Sequence, residues 1–311
     1  MKKLRLVALR LLQLVPVLIG ISLITFVLAQ ATPGDPVRLI VGQRATEEVI
    51  AAVRQQYGLD EPIFVQYLVY VENLLQGDWG RSIAFRGPVL EFILSRVTPT
   101  LYLVVGGLLF TILPALLLAV IAAYRQDSWI DQLIRIFYTV GLGLPSFWVA
   151  LVLVLIFAVH LDWFPATGFG QTFGERLYHL VLPWTAISAA MTPILLRNLR
   201  SGLLDRLHAD FVVSARSKGL PERYIFLRHV LPNSILPSLH LLGVVAVWTL
   251  SFAIIIEPIF AIPGLGQQFL RAILGRDYFV IQGLTLFFAM ITVLITLAVD
   301  LLTLVVDPRV S

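Results

Sequence analysis

Six long apolar runs constrain this chain more than any other feature. They extend from about Leu11 to Ala29, Leu101 to Tyr124, Ile134 to Val159, Leu177 to Leu196, Leu236 to Phe260 and Val280 to Val306. Each is near the roughly 20 residues that a tilted helix needs to cross a bilayer. The fold class that follows is all-α and polytopic, with six transmembrane helices and both ends on one face of the membrane. Composition agrees: 58% of the 311 residues are hydrophobic, only 14% are charged, and mean hydropathy is +0.88, well outside the range of a soluble domain. The amino terminus, Met1-Lys2-Lys3-Leu4-Arg5 before the first run, has the layout of a signal peptide. Because Gln30-Ala31-Thr32-Pro33-Gly34-Asp35-Pro36 lacks a small-x-small cleavage pattern, it reads as a retained first crossing.

The charges lie in islands between these runs. From Arg197 to Leu231 seven basic residues (Arg197, Arg200, Arg206, Arg216, Lys218, Arg223, Arg228) face three acids (Asp205, Asp210, Glu222). A short basic loop belongs in the cytoplasm, as do Lys2, Lys3, Arg5 and Arg10, so both termini are expected there. The segment from Gln30 to Thr98 has six arginines and eight acids and suits the opposite side. The organisation expected is therefore a first helix over 1–30, an external helical loop over 31–98, and a five-helix core over 99–311 that carries a cytoplasmic loop at 197–235. Within the external loop Thr46 precedes a helix opened by Glu47 and Glu48, with Val49, Ile50, Val53 and Tyr57 on one face. Asp60-Glu61-Pro62 starts a second that ends near Gly77. The net charge of +4 is small and implies no nucleic-acid partner.

Covalent chemistry finds little support. The only lysines are Lys2, Lys3 and Lys218, and none ends a Gly-rich phosphate loop, so the chain has no ATP site of that kind. There is no cysteine, and His160, His179, His208, His229 and His240 show no metal-site spacing. No catalytic residue and no metal ligand is assigned. Gly80-Arg81-Ser82-Ile83-Ala84 approaches a nucleophile turn but lacks its last glycine, and reads as a structural turn. Glu257 and Asp300 lie at or inside apolar runs. Acids there must face protein or a watery cavity, which leaves a functional role and a helix-holding role both open. Gly106, Gly107, Gly141 and Gly143 ahead of Pro145 read as close-packing or kink positions.

In the basic loop, Asp210-Phe211-Val212-Val213-Ser214-Ala215-Arg216-Ser217-Lys218 reads as a short helix stopped by Gly219. Leu220-Pro221-Glu222 then starts another that ends before Pro232. Such a unit offers a soluble partner a rigid knob with Phe211 as anchor and Arg216 and Lys218 as rim. On physics alone, a plain positive-inside loop remains equally open.

This loop resembles the Glu-Ala-Ala-x3-Gly-x9-Ile-x-Leu-Pro signature of ABC importer permeases. Gly219, Ala215 and Leu231-Pro232 hold its glycine, second alanine and Leu-Pro positions, while Val213, Ser214 and His229 replace others. The peptide-importer form is closer, through Asp210-Phe211-Val212, Ala215-Arg216, Lys218-Gly219-Leu220, Arg228-His229, Leu231, Asn233 and Leu236-Pro237. Pro33-Gly34-Asp35-Pro36, Gly58-Leu59-Asp60, Gln66-Tyr67, Gly77-Asp78 and Pro88-Val89 resemble the external loop of the first permease subunit in that family. Pro145 with Phe147-Trp148, Glu257, Pro263-Gly264-Leu265-Gly266, Arg276-Asp277-Tyr278 and Asp307-Pro308-Arg309 follow it towards the carboxyl end. Ile262 and Phe279 stand where Trp and Pro are usual.

The resemblance implies the type I ABC importer permease fold in a bacterial inner membrane. Its implied partners are a homologous second permease, two ATPase subunits that hold ATP and Mg, and an external solute-binding protein. It also implies transport by alternating access, with dipeptides or oligopeptides as cargo and glutathione or nickel as alternatives. Asp210, Phe211, Ala215, Arg216, Lys218, Gly219 and Leu220 become the expected ATPase-docking residues, and Pro145, Glu257, Pro263 and Gly264 the expected pathway or external-gate residues. The rival class is a stand-alone membrane protein, a secondary transporter or intramembrane hydrolase. The sequence offers little of the paired broken helices or ionisable relay that a secondary transporter needs.

Overall fold

The computed structural model describes residues 12, 15–27, 46–56, 60–82 and 84–306. Expectations that fall on residues 1–11, 13–14, 28–45, 57–59, 83 and 307–311 lie outside the described residues. Helix α1 spans Val15–Val27, and α2 (Glu47–Gln56) and α3 (Ile63–Leu75) follow in the segment before the core. Pro62 precedes α3, and Gly77, at φ +86°, lies beyond its end, matching the local signals. Helix α3 is held against α1 by Tyr67, which hydrogen-bonds Ser22 at 2.8 Å and meets Phe26 edge-on at 5.5 Å.

Helix α4 runs over Val89–Tyr124, starting twelve residues before the apolar run at Leu101 because Pro88 presets the turn before it. Gly106 lies under the Trp184 indole, and Gly107 under Ile187 and Thr249. Their missing side chains let α4 pack closely on α7 (Phe173–Leu207), the most extensive helix pair in the chain.

The apolar run from Ile134 to Val159, expected as one crossing with close-packing or kink positions at Gly141 and Gly143, is two pieces bent by 105°. Helix α5 is Trp129–Gly141; α6 is Ser146–Leu153, extended by a wide-turn stretch to His160. Pro145 provides the physical reason, since it has no N–H and drives the residue before it out of helical conformation. Trp129, Leu133, Ile136, Phe137 and Val140 remain exposed on α5 while Asp131, Ile134 and Gly141 are buried, the pattern of a helix lying along a membrane interface.

A capping box at Thr172 and Glu175 starts α7. The helix does not stop at Arg197 but continues to Leu207, so the first eleven residues of the expected loop are helical. Helices α8 (Asp210–Ser217) and α9 (Glu222–Ile225) follow. No break precedes Pro232: the chain passes through wide turns at Phe226–Val230 directly into α10, Leu231–Ile259. That wide stretch sits where the ring of Pro232 would otherwise press on the carbonyl four residues back. The short α11 (Leu265–Gly275), not foreseen from sequence, and α12 (Tyr278–Val306) complete the fold. Among the described residues four helices are long and apolar enough to cross a membrane, five if the bent pair is one span.

Three buried clusters fill the bundle. Leu103, Ala150, Ile187, Ala253, Ile256 and Phe260 join α4, α6, α7 and α10. Val89, Ile93, Leu265, Ala272 and Leu284 pack α4, α11 and α12 together. At the opposite end, Ala119, Leu199, Leu203, Val212, Ile225 and Phe226 join α4 and α7 to α8 and α9.

Candidate functional site

The α8 unit is fastened to the bundle by one face and open on the other. Val212 and Ala215, three residues apart, are buried in the cluster with Leu203, Ile225 and Phe226. Asp210, Phe211, Val213, Arg216, Lys218, Gly219 and Leu220 are exposed. Ala215 therefore positions the unit, and the other six expected docking residues form its outer surface. Gly219, at φ +75°, ends α8, with its N–H on the Arg216 carbonyl at 2.9 Å and the Leu220 N–H on the Ala215 carbonyl at 3.3 Å. A Cβ at Gly219 would meet nothing within 4 Å, so backbone conformation and not space demands glycine there. Across the turn, Arg216 donates to both Glu222 oxygens at 2.7 and 3.2 Å. That hydrogen bond holds the Glu222 carboxyl below its ordinary range.

Next to this unit lies a pair that sequence reading missed. Arg200, on α7, donates through Nε and Nη2 to the two Asp131 oxygens, both at 2.7 Å. The Asp131 side chain is 0% exposed and that of Arg200 14%; Arg135 adds a second cation at 3.4 Å. The pair ties the interfacial helix α5 to the last two turns of α7, just ahead of α8. An acid in an otherwise apolar helix was the available signal, but the partner is 69 residues away.

At the other end of the bundle, Glu257 is fully buried. Its Oε1 accepts from the Thr100 hydroxyl at 2.6 Å and its Oε2 from the Gln267 N–H at 3.0 Å, while Thr100 Oγ1 accepts from the Leu265 N–H at 2.8 Å. A carboxylate thus occupies the amino end of α11, where free N–H donors and the helix dipole favour it. Gly264 is buried against that carboxylate and a Cβ there would overlap it; Pro263, one residue earlier, is half-buried. Glu257, Pro263 and Gly264 come together, whereas Pro145 sits apart at the exposed α5–α6 elbow. A second tie at this end joins the turn before α4 to the start of α12: Ser82 donates to Asp277 Oδ2 at 2.6 Å, and the Ala84 N–H does so at 3.0 Å.

Among the described residues no group of three or more His, Cys, Asp or Glu could hold a metal ion. The arrangement offers levers and ties, in which the Ser82 and Thr100 hydroxyls are spent on holding Asp277 and Glu257.

Two family profiles cover the chain: residues 3–103 match the amino-terminal part, and residues 115–311 the main part, of the binding-protein-dependent transport system inner membrane component. The chain belongs to that family. This inner membrane component is 36% identical over 322 residues to the probable D,D-dipeptide transport system permease protein DdpB of Escherichia coli K12, covering 96% of this chain and 95% of that one. It is also 36% identical over 301 residues to the glutathione transport system permease protein GsiC of Salmonella typhimurium, covering 97% of each. Its fold is similar to that of the MetNI methionine ABC transporter solved in inward-facing conformations, with TM-score 0.59 at 14% identity over 69% of this chain and 96% of that one. The peptide-type permease resemblance is thereby confirmed at the level of family, and the component is a permease subunit of an ABC importer without an ATPase site of its own. ATP and Mg belong to a partner ATPase, and a solute-binding protein and a second permease complete the machinery such a component serves.

Proposed function

We propose that this permease forms half of a translocation pathway for a dipeptide- or oligopeptide-class solute. In this reading, one homologous second permease and two ATPase subunits work with it by alternating access. The carrying observation is the α8–Gly219–α9 unit: Val212 and Ala215 bolt it to the ends of α7 and α10, and Phe211, Arg216, Lys218 and Leu220 are left outward. With that unit and both termini in the cytoplasm, closure of the ATPases pushes on α8. The ends of α7 and α10 then move with it as a rigid body, redirecting the bundle between outward- and inward-facing states. Glu257 and its hydrogen-bond partners tie α4, α10 and α11 at the external end, where that movement would be received.

Peptide cargo is favoured by the DdpB relative, whose name specifies a D,D-dipeptide. Glutathione, itself a peptide, is the second reading, favoured by the GsiC relatives. The test is thermal unfolding of the cognate solute-binding protein with a dipeptide panel, glutathione and Ni²⁺, since a ligand at 100 times its Kd stabilises by about 2.7 kcal/mol. Stabilisation by dipeptides supports the first reading and by glutathione alone the second; stabilisation by Ni²⁺ alone contradicts both. Solute uptake by the permease in vesicles without any ATPase would instead favour the secondary-transporter class.

A further inference from the structure

We propose that Arg176 is a carboxylate-recognition point at the end of the bundle opposite α8. It lies in the first turns of α7, where the neighbouring acid is already committed: Glu175 Oε2 accepts from the Gln171 and Thr172 N–H groups at 2.8 and 3.3 Å. The Arg176 guanidinium carbon instead sits over two aromatic rings, 5.2 Å from the centre of Phe169 and 5.9 Å from that of Tyr102.

Those rings form a fixed platform. They pack edge to face at 5.8 Å, and both rest against the core cluster. The Tyr102 carbonyl accepts from Trp184 Nε1 at 3.1 Å. Gly168 donates to the Phe260 carbonyl at 2.8 Å, which ties the platform to the turn leading into Pro263 and Gly264. Gly170 holds φ +73°, and a Cβ there would sit 2.7 Å from Glu175, so the loop carrying Phe169 has little room to shift.

On this platform the guanidinium has no polar partner among the described residues. Its Nε is buried without a hydrogen bond, and no described carboxylate pairs with it, whereas Arg135, Arg200 and Arg216 each have one. Aromatic faces hold a guanidinium plane while leaving its N–H edge free, and that edge matches a carboxylate in two-point contact. A half-buried, pre-oriented cation of this kind fits an incoming anion of carboxylate class. Under the peptide reading proposed above, on which this choice of ligand rests, the carboxylate is the free one of the solute. An acidic side chain of the solute-binding protein carries the same chemistry.

The test uses the assembled transporter in lipid nanodiscs. Phenylglyoxal modification of Arg176 is followed by mass spectrometry with Ala-Ala, its carboxyl-terminal amide, glutathione, or solute-free binding protein added. The expected result is at least threefold slower modification with Ala-Ala or glutathione and none with the amide. Slowing by binding protein alone assigns the carboxylate to that partner. No slowing by any addition overturns the proposal. Arg176→Gln is expected to raise the half-saturating solute concentration about tenfold, with partial rescue in Arg176→Lys, which keeps the charge but not the two-point fork. Equal saturation in both variants and wild type also overturns it. Protection by Ala-Ala in a complex that fails to transport peptides would remove the cargo reading and leave the carboxylate site standing.

Discussion

The Asp131–Arg200 pair allows the packing of α5 on α7 to be weighed. Arg200→Gln leaves the fully buried Asp131 carboxylate without its two 2.7 Å hydrogen bonds. Breaking a buried pair from one side costs about 3–5 kcal/mol. Arg135, at 3.4 Å with a 39% exposed side chain, and the Asp127 N–H at 3.1 Å remain as partial replacements and place this loss at about 3 kcal/mol. Asp131→Asn keeps the shape and one acceptor oxygen, and is expected to lose about 2 kcal/mol, the scale of a hydrogen bond to a charged group. Combining the two removes the stranded charge, so the double variant should lose about 3 kcal/mol, not the sum of about 5. The assay is equilibrium unfolding in mixed micelles as a double-mutant cycle. Additivity within about 0.5 kcal/mol would refute the reasoning. In the assembled transporter, both single variants are expected to hydrolyse ATP while moving less solute per ATP, because α5 no longer follows the end of α7.

Two further outcomes follow from named contacts. Gly264→Ala places a methyl group on the Glu257 carboxylate that Thr100 and Gln267 hold in place; the expected loss is about 2–3 kcal/mol and reduced protein in the membrane, whereas Gly275→Ala, open at that position, should be tolerated. The Arg216–Glu222 pair contributes above the ordinary carboxylate pKa of about 4.3 and is lost only as pH falls through the lowered Glu222 value. Hydrogen exchange at Lys218 and Gly219, corrected for intrinsic rate, should therefore stay flat between about pH 8 and 6 and rise at both pH values in Arg216→Glu.

What the sequence shows about this fold depends on the range of the interaction. Gly219, Pro62 and Gly77 act within their own turns, and the ends of α3 and α8 were accordingly read within a residue or two. The apolar runs mark lipid-facing length, which is why the long helices were found. Length cannot show how sharply a run bends, and so Gly141 and Gly143 ahead of Pro145 were read as kink or close-packing positions without the 105° angle of the α5–α6 elbow being visible. At Pro232 a local rule failed because the wide turns at Phe226–Val230 absorb the ring. Helix α11 escaped notice because its amino end is held by side chains of other helices, Glu257 on α10 and Thr100 on α4, the latter 165 residues from Leu265. For the same reason, Glu257 was expected at the gate without its role in holding that helix being visible.

The central claim is that partner ATPases grip the outward face of α8. Because the chain has no cysteine, a single cysteine placed by Phe211→Cys, or by Leu270→Cys on the exposed face of α11 at the other end, is a unique cross-linking point. In the assembled, transporting complex, a short bifunctional reagent should join the Phe211→Cys site to an ATPase subunit and the Leu270→Cys site to none. Cross-linking to the ATPase from Leu270→Cys, with none from Phe211→Cys, would place α8 on the wrong side of the membrane and contradict the account.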